Sequence, residues 1–362
     1  MAGSTIGTNF KITTWGESHG TGIGVVIDGC PAGLSLCEED IQTYLNRRKP
    51  GQSAFSTPRK EDDAVHILSG VFEGRTTGTP ISLIVVNENQ HSKDYREIAS
   101  YYRPGHADFT FDAKYGFRDY RGGGRSSGRV AAGAVAAKIL KELGIEILTY
   151  SKSIGPITID ETRFDTAEIT KNPLYMPDAD AAAKAASYLE ECKAMQNSAG
   201  GIIECVITGV PAGIGDPVFE KIDANLAKAI FSIGAVKGFE IGDGFAVAAA
   251  TGLTNNDAFV TDENGSVTKE TNHAGGILGG MSDGSPIVFR AAIKPTPSVA
   301  STQKTINKNG EEIEINIKGR HDPIIVPRAV VVVESMAAIT IFDAMLSNMS
   351  ARMDGIKDFY QK

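Results

Sequence analysis

The sequence predicts an α+β fold: a helical core sandwiched between two largely antiparallel sheets, with an internal pseudo-twofold duplication. Three observations predict it. First, motifs recur in one order along the 362 residues. VVIDGCPAGL at 25–34 returns as VITGVPAGI at 206–214, each a β-branched run, a Gly and Pro-Ala-Gly. Ile67 opens ILSG and Ile277 opens ILGG, each before a turn, Pro-Ile and an apolar run. PGHAD at 104–108 and GRHDP at 319–323 each precede an Ala/Val-rich stretch. Three ordered matches indicate one supersecondary unit used twice. Second, the β-branched runs are joined by short Gly turns, which suit antiparallel pairing rather than βαβ crossovers. Third, two long Ala/Val-rich stretches lack a polar face, the pattern of buried helices. One domain over 1–362 follows, with halves of about 1–150 and 151–362. Pro31 and Pro211 are 180 apart while Ile67 and Ile277 are 210 apart, so the second half should carry an insertion.

The elements follow in order. Strands are expected at Gly24–Ile27, Val65–Leu68 and Ile81–Val86. Ser35-x-x-Glu38 reads as a capping box ahead of a helix over Glu38–Arg48, whose stripe is Ile41, Tyr44 and Leu45. Val130–Leu143 is an Ala-rich helix with no polar position before Lys138, stopped by Gly144. Ala179–Met195 is a more polar surface helix. Ile202–Thr208 is a strand, and Phe219–Phe231 a helix in the place of Glu38–Arg48. Phe245–Ala250, Ile287–Ile293 and Glu312–Ile317 read as strands, and Ala329–Met349 as the second buried helix.

Composition narrows the function. With 41% hydrophobic and 22% charged residues the chain can bury a large core. The apolar stretch Ile324–Val333 is broken by Pro327 and Arg328 and is too short to span a bilayer. The first twenty residues hold no apolar leader, so no membrane partner and a cytoplasmic location are expected. Cys30, Cys37, Cys192 and Cys205 form no CxxC pair and read as reduced core thiols. A net charge of −8 argues against nucleic acid. Yet Arg47, Arg48 and Lys49 are adjacent, and Arg118, Arg121, Arg125 and Arg129 crowd one loop. Arginine concentrated in loops of an acidic chain points to a small anionic ligand.

Six segments carry the chemistry. WGESHG holds His19 between glycines, and RPGHAD holds His106 in a tight loop with Asp108 two residues on. Arg118–Arg129 places glycines and hydroxyls before a buried helix, a phosphate cradle by composition but not a Walker A loop. Asn272–Met281 is dense in glycine, Lys294-Pro-Thr-Pro-Ser298 is a stiff loop with a cation and two hydroxyls, and GRHDP sets Arg320, His321 and Asp322 side by side. The chain has no HExxH, no Cys-His zinc spacing and no GxSxG elbow. The residues alone give a metal-free enzyme that binds one or two large anions.

Taken in order, WGESHG, RPGHAD, GFRDYRGGGRSS, VKGFEIGDGF, NHAGGILGGMSDG and GRHDP closely resemble chorismate synthase, from Thr8 to about Met345. The resemblance implies the last step of the shikimate pathway. There 5-enolpyruvylshikimate 3-phosphate loses phosphate by 1,4-anti elimination to give chorismate. It implies reduced FMN (FMNH2) used without net redox change, an external flavin reductant and a homotetramer. It matches His19 to the residue that protonates departing phosphate, His106 to the one that supports the reduced flavin, and Asp322 to the carboxylate that helps remove the C6 proton. The flavin-holding positions it implies are Arg125, Ser126, Ser127, Gly234, Ala235, Gly279, Lys294, Pro295, Thr296, Pro297, Ser298 and Arg320. Arg48 matches an arginine for a nicotinamide nucleotide (NADP) or substrate anion. Two departures stand out. Ala54 takes the place of that arginine's usual partner. Gly128-Arg129 runs straight into Val130-Ala-Ala-Gly133, where the family has about five more residues. An FMN-dependent oxidoreductase with net hydride transfer and a non-enzymatic anion-binding protein are the alternatives.

Overall fold

The computed structural model describes residues 3–17, 20–49, 63–87, 100–116, 125–317 and 323–361. His19, Arg320 and Asp322 lie outside the described residues, and of Arg125 only the backbone is described.

Two five-stranded antiparallel sheets enclose a layer of helices. The first sheet contains β1 (Thr5–Ile6), β2 (Lys11–Gly16), β3 (Gly22–Asp28), β4 (Val65–Ser69) and β5 (Ile81–Val86), in the order β1-β2-β3-β5-β4. The second contains β6 (Glu146–Ile154), β7 (Ile157–Thr158), β8 (Gly201–Thr208), β9 (Val236–Ile241) and β10 (Ile287–Ile293), in the order β7-β6-β8-β10-β9. Period-two burial sets the faces. Ile12 and Thr14 of β2 point inward while Lys11, Thr13 and Trp15 do not. Ile287, Phe289, Ala291 and Ile293 of β10 are buried in alternation.

The helices are α1 (Glu38–Arg48), α2 (Asp108–Tyr115), α3 (Arg125–Glu142), α4 (Ala179–Ala194), α5 (Ile222–Phe231), α6 (Gly252–Asn255), α7 (Val326–Asn348) and α8 (Met353–Tyr360). α3 packs on β2 and β3, α7 packs on β6 and β8, and the two helices pack on each other. Small residues permit that closeness: a Cβ added at Gly133 would sit 2.2 Å from the Cβ of Ser335. α7 is long and apolar enough to cross a membrane, but 78% of its most apolar window is buried inside this fold.

The halves repeat one topology, β2-β3-β5-β4 in the first and β6-β8-β10-β9 in the second. The repeat extends to single hydrogen bonds. In the first Pro-Ala-Gly loop, Thr76 Oγ1 accepts from Leu34 N (3.0 Å) and donates to Pro31 O (2.6 Å). In the second, Ser282 Oγ accepts from Ile214 N (2.9 Å) and donates to Pro211 O (2.5 Å). The backbone bonds Gly33 N to Thr76 O and Gly213 N to Ser282 O also correspond, each at 2.8 Å. Thr77 N bonds Gly70 O as Asp283 N bonds Gly276 O, both 3.0 Å.

These bonds correct several expectations. Thr76 and Ser282 are 206 apart, as are Gly70 and Gly276, so Ile67 and Ile277, 210 apart, are not equivalent positions. The excess falls between β9 and Gly276, where a 3₁₀ helix (Gly244–Ala249), α6 and the hairpin Phe259–Thr261/Val267–Lys269 are added. Phe245–Ala250 is therefore not a strand: its apolar run is exposed, Phe245 at 81%. The α1 cap is Cys37 with Asp40, not Ser35 with Glu38, because Ser35 bridges to Arg75 and the Asp40 carboxylate accepts from Cys37 N at 2.9 Å. α3 begins at Arg125 rather than Val130, which draws Ser126, Ser127, Gly128 and Arg129 into its first turn and a half. β2, β6 and β9 were not expected, since Thr, Ser, Lys and Gly break up their apolar pattern.

Candidate active site

The site grows from the end of β10. Lys294 N donates to Ala235 O at 2.9 Å, so the stiff 294–298 loop leaves the sheet beside Gly234-Ala235. Lys294 Nζ donates to Gly105 O, which docks the His106 loop on top. Gly105 has φ +68, and a Cβ there would lie 3.4 Å from Pro297 Cβ, so glycine suits both the turn and the approach. Ser198 Oγ donates to Thr296 O at 2.7 Å from below. Ala199 N donates to Pro323 O at 2.9 Å, which ties the described end of GRHDP to the same place.

His106 is fixed by two neighbours. Asp108, the first residue of α2, is 5% exposed. It accepts from Arg103 Nε (2.7 Å), Arg103 Nη2 (2.8 Å) and His106 Nδ1 (2.9 Å). An ionised carboxylate only accepts, so His106 Nδ1 carries a proton toward Asp108, while Arg103 Nη2 lies 3.1 Å from both ring nitrogens. Burial alone would raise the Asp108 pKa, but hydrogen bonds from Arg103 and His106 outweigh it and hold the carboxyl well below the usual range. Arg103 also reaches Ser298 Oγ at 3.4 Å.

Helix ends supply the second wall, in a crossed pattern. Arg129 of α3 donates to Ser232 Oγ (2.9 Å), just past the end of α5 and two residues before Gly234. Arg328 of α7 donates through Nε to Arg48 O (3.0 Å), at the end of α1. Each half's long helix thus grips the end of the other half's short helix. Ser127 is buried beside Gly128, and Gly128 rests against Gly24 O of β3. Arg48 pairs through Nη1 with Asp63 Oδ2 at 2.8 Å.

The fold therefore gathers His106, Lys294, Pro295, Thr296, Pro297, Ser298, Gly234 and Ala235 at one place. Ser126 and Ser127 approach it through Arg129 and Ser232, whereas Arg48 lies at the end of α1, where Arg328 of α7 holds its carbonyl. Gly279 stands apart. Its hairpin, Ile277–Leu278/Met281–Ser282, meets the start of α5 through Ile222 N to Gly280 O. Ser232 lies past the far end of that ten-residue helix, about 15 Å away. The Asn272–Gly276 loop is likewise remote from Lys294 and is anchored by Lys269, whose side chain is 1% exposed between Asp257 (3.2 Å) and Asp283 (2.7 Å). Sequence reasoning missed Arg103, Arg328 and Asp63. Arg103 was visible in RPGHAD, whereas the other two act through contacts distant in the chain.

A polar ligand group fits this place. Among the described residues, Thr296 Oγ1 is buried without a hydrogen-bond partner, in the loop that runs from Lys294 to Ser298. A buried hydroxyl left unpaired is costly unless a ligand completes it. Lysine, arginine and hydroxyl donors suit a phosphate or a carbonyl-rich ring, so these residues fit a phosphorylated flavin.

Comparison with known proteins agrees. The sequence profile of the family described as chorismate synthase matches residues 10–346. The chain is 74% identical to chorismate synthase from Agathobacter rectalis over 367 aligned positions that span all of both chains. With 362 residues here, at least five of those positions have no counterpart in this chain. It is 68% identical to the Lachnoclostridium phytofermentans chorismate synthase, again over the whole of both. It is 54% identical to that of Methanocella arvoryzae, across 96% of this chain and 95% of the relative. A crystal structure of chorismate synthase superposes with a TM-score of 0.77 at 31% identity, covering 98% and 97% of the two chains. The chain belongs to the chorismate synthase family.

Proposed function

We propose that the chain eliminates phosphate from 5-enolpyruvylshikimate 3-phosphate in a 1,4-anti sense to give chorismate. The observation that carries this reading is the docking of the His106 loop on Lys294–Ser298, with the Thr296 hydroxyl left for a ligand. Reduced FMN, when bound, would supply electron density for breaking an unactivated C–H bond without net oxidation. Lys294, Pro295, Thr296, Pro297, Ser298, Gly234 and Ala235 would hold it from β10 and α5. Arg125, Ser126, Ser127 and Arg320 would complete its anion contacts. His106, fixed by Asp108 and Arg103, would present a ring of one orientation to it. His19 would protonate the departing phosphate, and Asp322 would take part in removing the C6 proton. Both follow from the family resemblance.

Arg48 would receive a substrate anion rather than a nicotinamide, since its expected partner is Ala54 here. Residues 1–362 would then act as one unit of two repeated halves, with reductant supplied from outside. Exposed Phe219 (88%), Phe245 (81%) and Leu253 (96%), two of them on the insertion, support self-association, read here as a homotetramer. The buried placement of α7 supports a cytoplasmic chain over a membrane-bound one. Substitution tests the roles: His19→Ala and His106→Ala should each lower kcat by about 10²–10⁴ while the chain stays folded. Near-normal kcat in either variant removes that residue from the mechanism.

A further inference from the structure

We propose that Tyr102 and Asp112 are positioning residues: with Lys308 they latch a hairpin (Gln303–Ile306/Glu312–Ile315) to α2 and so hold the His106 loop against Lys294–Ser298. The inference rests on the reading above, which places the flavin at that loop. Residues 100–105 run antiparallel to the chain that leaves β10. Lys308 N donates to Ser100 O (2.9 Å), Tyr101 bridges to Asn307, and Tyr102 N donates to Ile306 O (3.2 Å). Thr305 Oγ1 donates to Tyr102 O. Further along, Arg103 reaches Ser298 and Gly105 meets Lys294. The segment that carries His106 is thus zipped first to the hairpin and then to the Lys294–Ser298 loop.

Asp108 and Asp112 are four residues apart on α2, so they share one face of it. Asp108 fixes Arg103 and the His106 ring. One turn on, Asp112 accepts from Tyr102 Oη (2.7 Å) and from Lys308 Nζ (3.2 Å). Tyr102 also packs edge-on against Phe109, with ring centroids 5.3 Å apart. One helix face therefore ties the hairpin to the histidine. The ties through Lys294 Nζ and Ser298 Oγ involve groups that the flavin would also engage. The latch uses neither, so it orders the His106 loop without drawing on a flavin contact. A loop ordered in advance loses less freedom when its ligand arrives.

The test compares Tyr102→Phe, Asp112→Ala and Asp112→Asn with the unsubstituted chain. Each is dialysed to equilibrium against reduced FMN without oxygen, then assayed for anaerobic turnover of 5-enolpyruvylshikimate 3-phosphate at saturating reduced FMN. Asp112→Ala should raise the flavin Kd about three- to tenfold, the worth of ordering one or two side chains. Tyr102→Phe keeps the ring on Phe109 and loses only the hydroxyl bond, so its Kd should rise by a smaller factor. Asp112→Asn keeps an acceptor for Tyr102 and should recover most of the Kd. In all three, kcat at saturating flavin should stay within about twofold, because bound flavin then holds the loop. Unchanged Kd in Asp112→Ala and Tyr102→Phe, no recovery in Asp112→Asn, or a fall in kcat at unchanged Kd would each overturn the proposal. If Asp112→Ala does not fold, Tyr102→Phe decides. His106→Ala in the same dialysis separates the two readings. If it weakens flavin binding while the latch variants do not, only the proposal fails. If it leaves the flavin Kd unchanged, the placing of flavin beside His106 fails first, and the proposal falls with it.

Discussion

Asp108→Asn isolates the electrostatics of the His106 loop. The substitution keeps shape and one acceptor oxygen but removes the charge that Arg103 meets at 2.7 and 2.8 Å and His106 at 2.9 Å. The Arg103 side chain is 10% exposed, so it would be left buried with a weakened partner. Breaking a buried pair from one side costs about 3–5 kcal/mol. The retained acceptor and the 26% exposure of the His106 side chain reduce this to about 2–4 kcal/mol. The pH dependence has a definite sign. Asp108 has its pKa depressed in the folded chain. Its stabilisation is therefore fully present above the unfolded carboxylate value near 4 and fades as pH falls through the lower folded value. Urea unfolding at pH 7, 5 and 3 should show a constant gap between wild type and variant at the first two and a smaller one at the third. A gap as large at pH 3 as at pH 7, or one below about 0.5 kcal/mol at pH 7, would refute the reasoning.

Three further outcomes follow. Thr76→Val and Ser282→Ala each strip a Pro-Ala-Gly loop of the same two side-chain hydrogen bonds, so each should cost about 1–3 kcal/mol in denaturant unfolding, with Thr76→Ser near wild type. Gly133→Ala places a methyl 2.2 Å from Ser335 Cβ and should destabilise the α3–α7 crossing by about 1–3 kcal/mol or more, as overpacked cores do. Aerobic NADPH with oxidised FMN should give no efficient turnover, because alanine stands at position 54, where the family resemblance leads to an expected arginine; product formation there would restore a nicotinamide site.

Helices whose ends and apolar positions are marked in their own residues were legible in the sequence. α1 matches its expected bounds, and α4 and α7 fall within a few residues of theirs, because their apolar stripes and end residues carry the information. β5 and β10 were legible as apolar runs, interrupted only by Ser82 and Arg290, that are buried at every second position. β6 was not, because Thr149, Tyr150, Ser151 and Ser153 are buried yet polar, and only pairing with β8 makes that segment a strand. Phe245–Ala250 failed for the opposite reason, being apolar and exposed. The α3 start was missed because Gly128 reads as a stop until it is seen packed on β3. At the site, His106 and the Lys294 loop stood out by residue type. The grip of Arg328 on Arg48, 280 residues apart, belongs to no local pattern. The alignment with the Agathobacter rectalis protein leaves at least five positions without a counterpart here, which matches in number alone the roughly five residues expected near Gly128.

The central claim is elimination without net redox change at the Lys294–His106 site. Anaerobic turnover of 5-enolpyruvylshikimate 3-phosphate, with chemically reduced FMN and no nicotinamide, tests it most directly. The account predicts one chorismate and one phosphate per substrate consumed over many turnovers, with the flavin still reduced at the end. Flavin oxidised in step with product, or substrate left unchanged by the folded, flavin-bound chain, would contradict it.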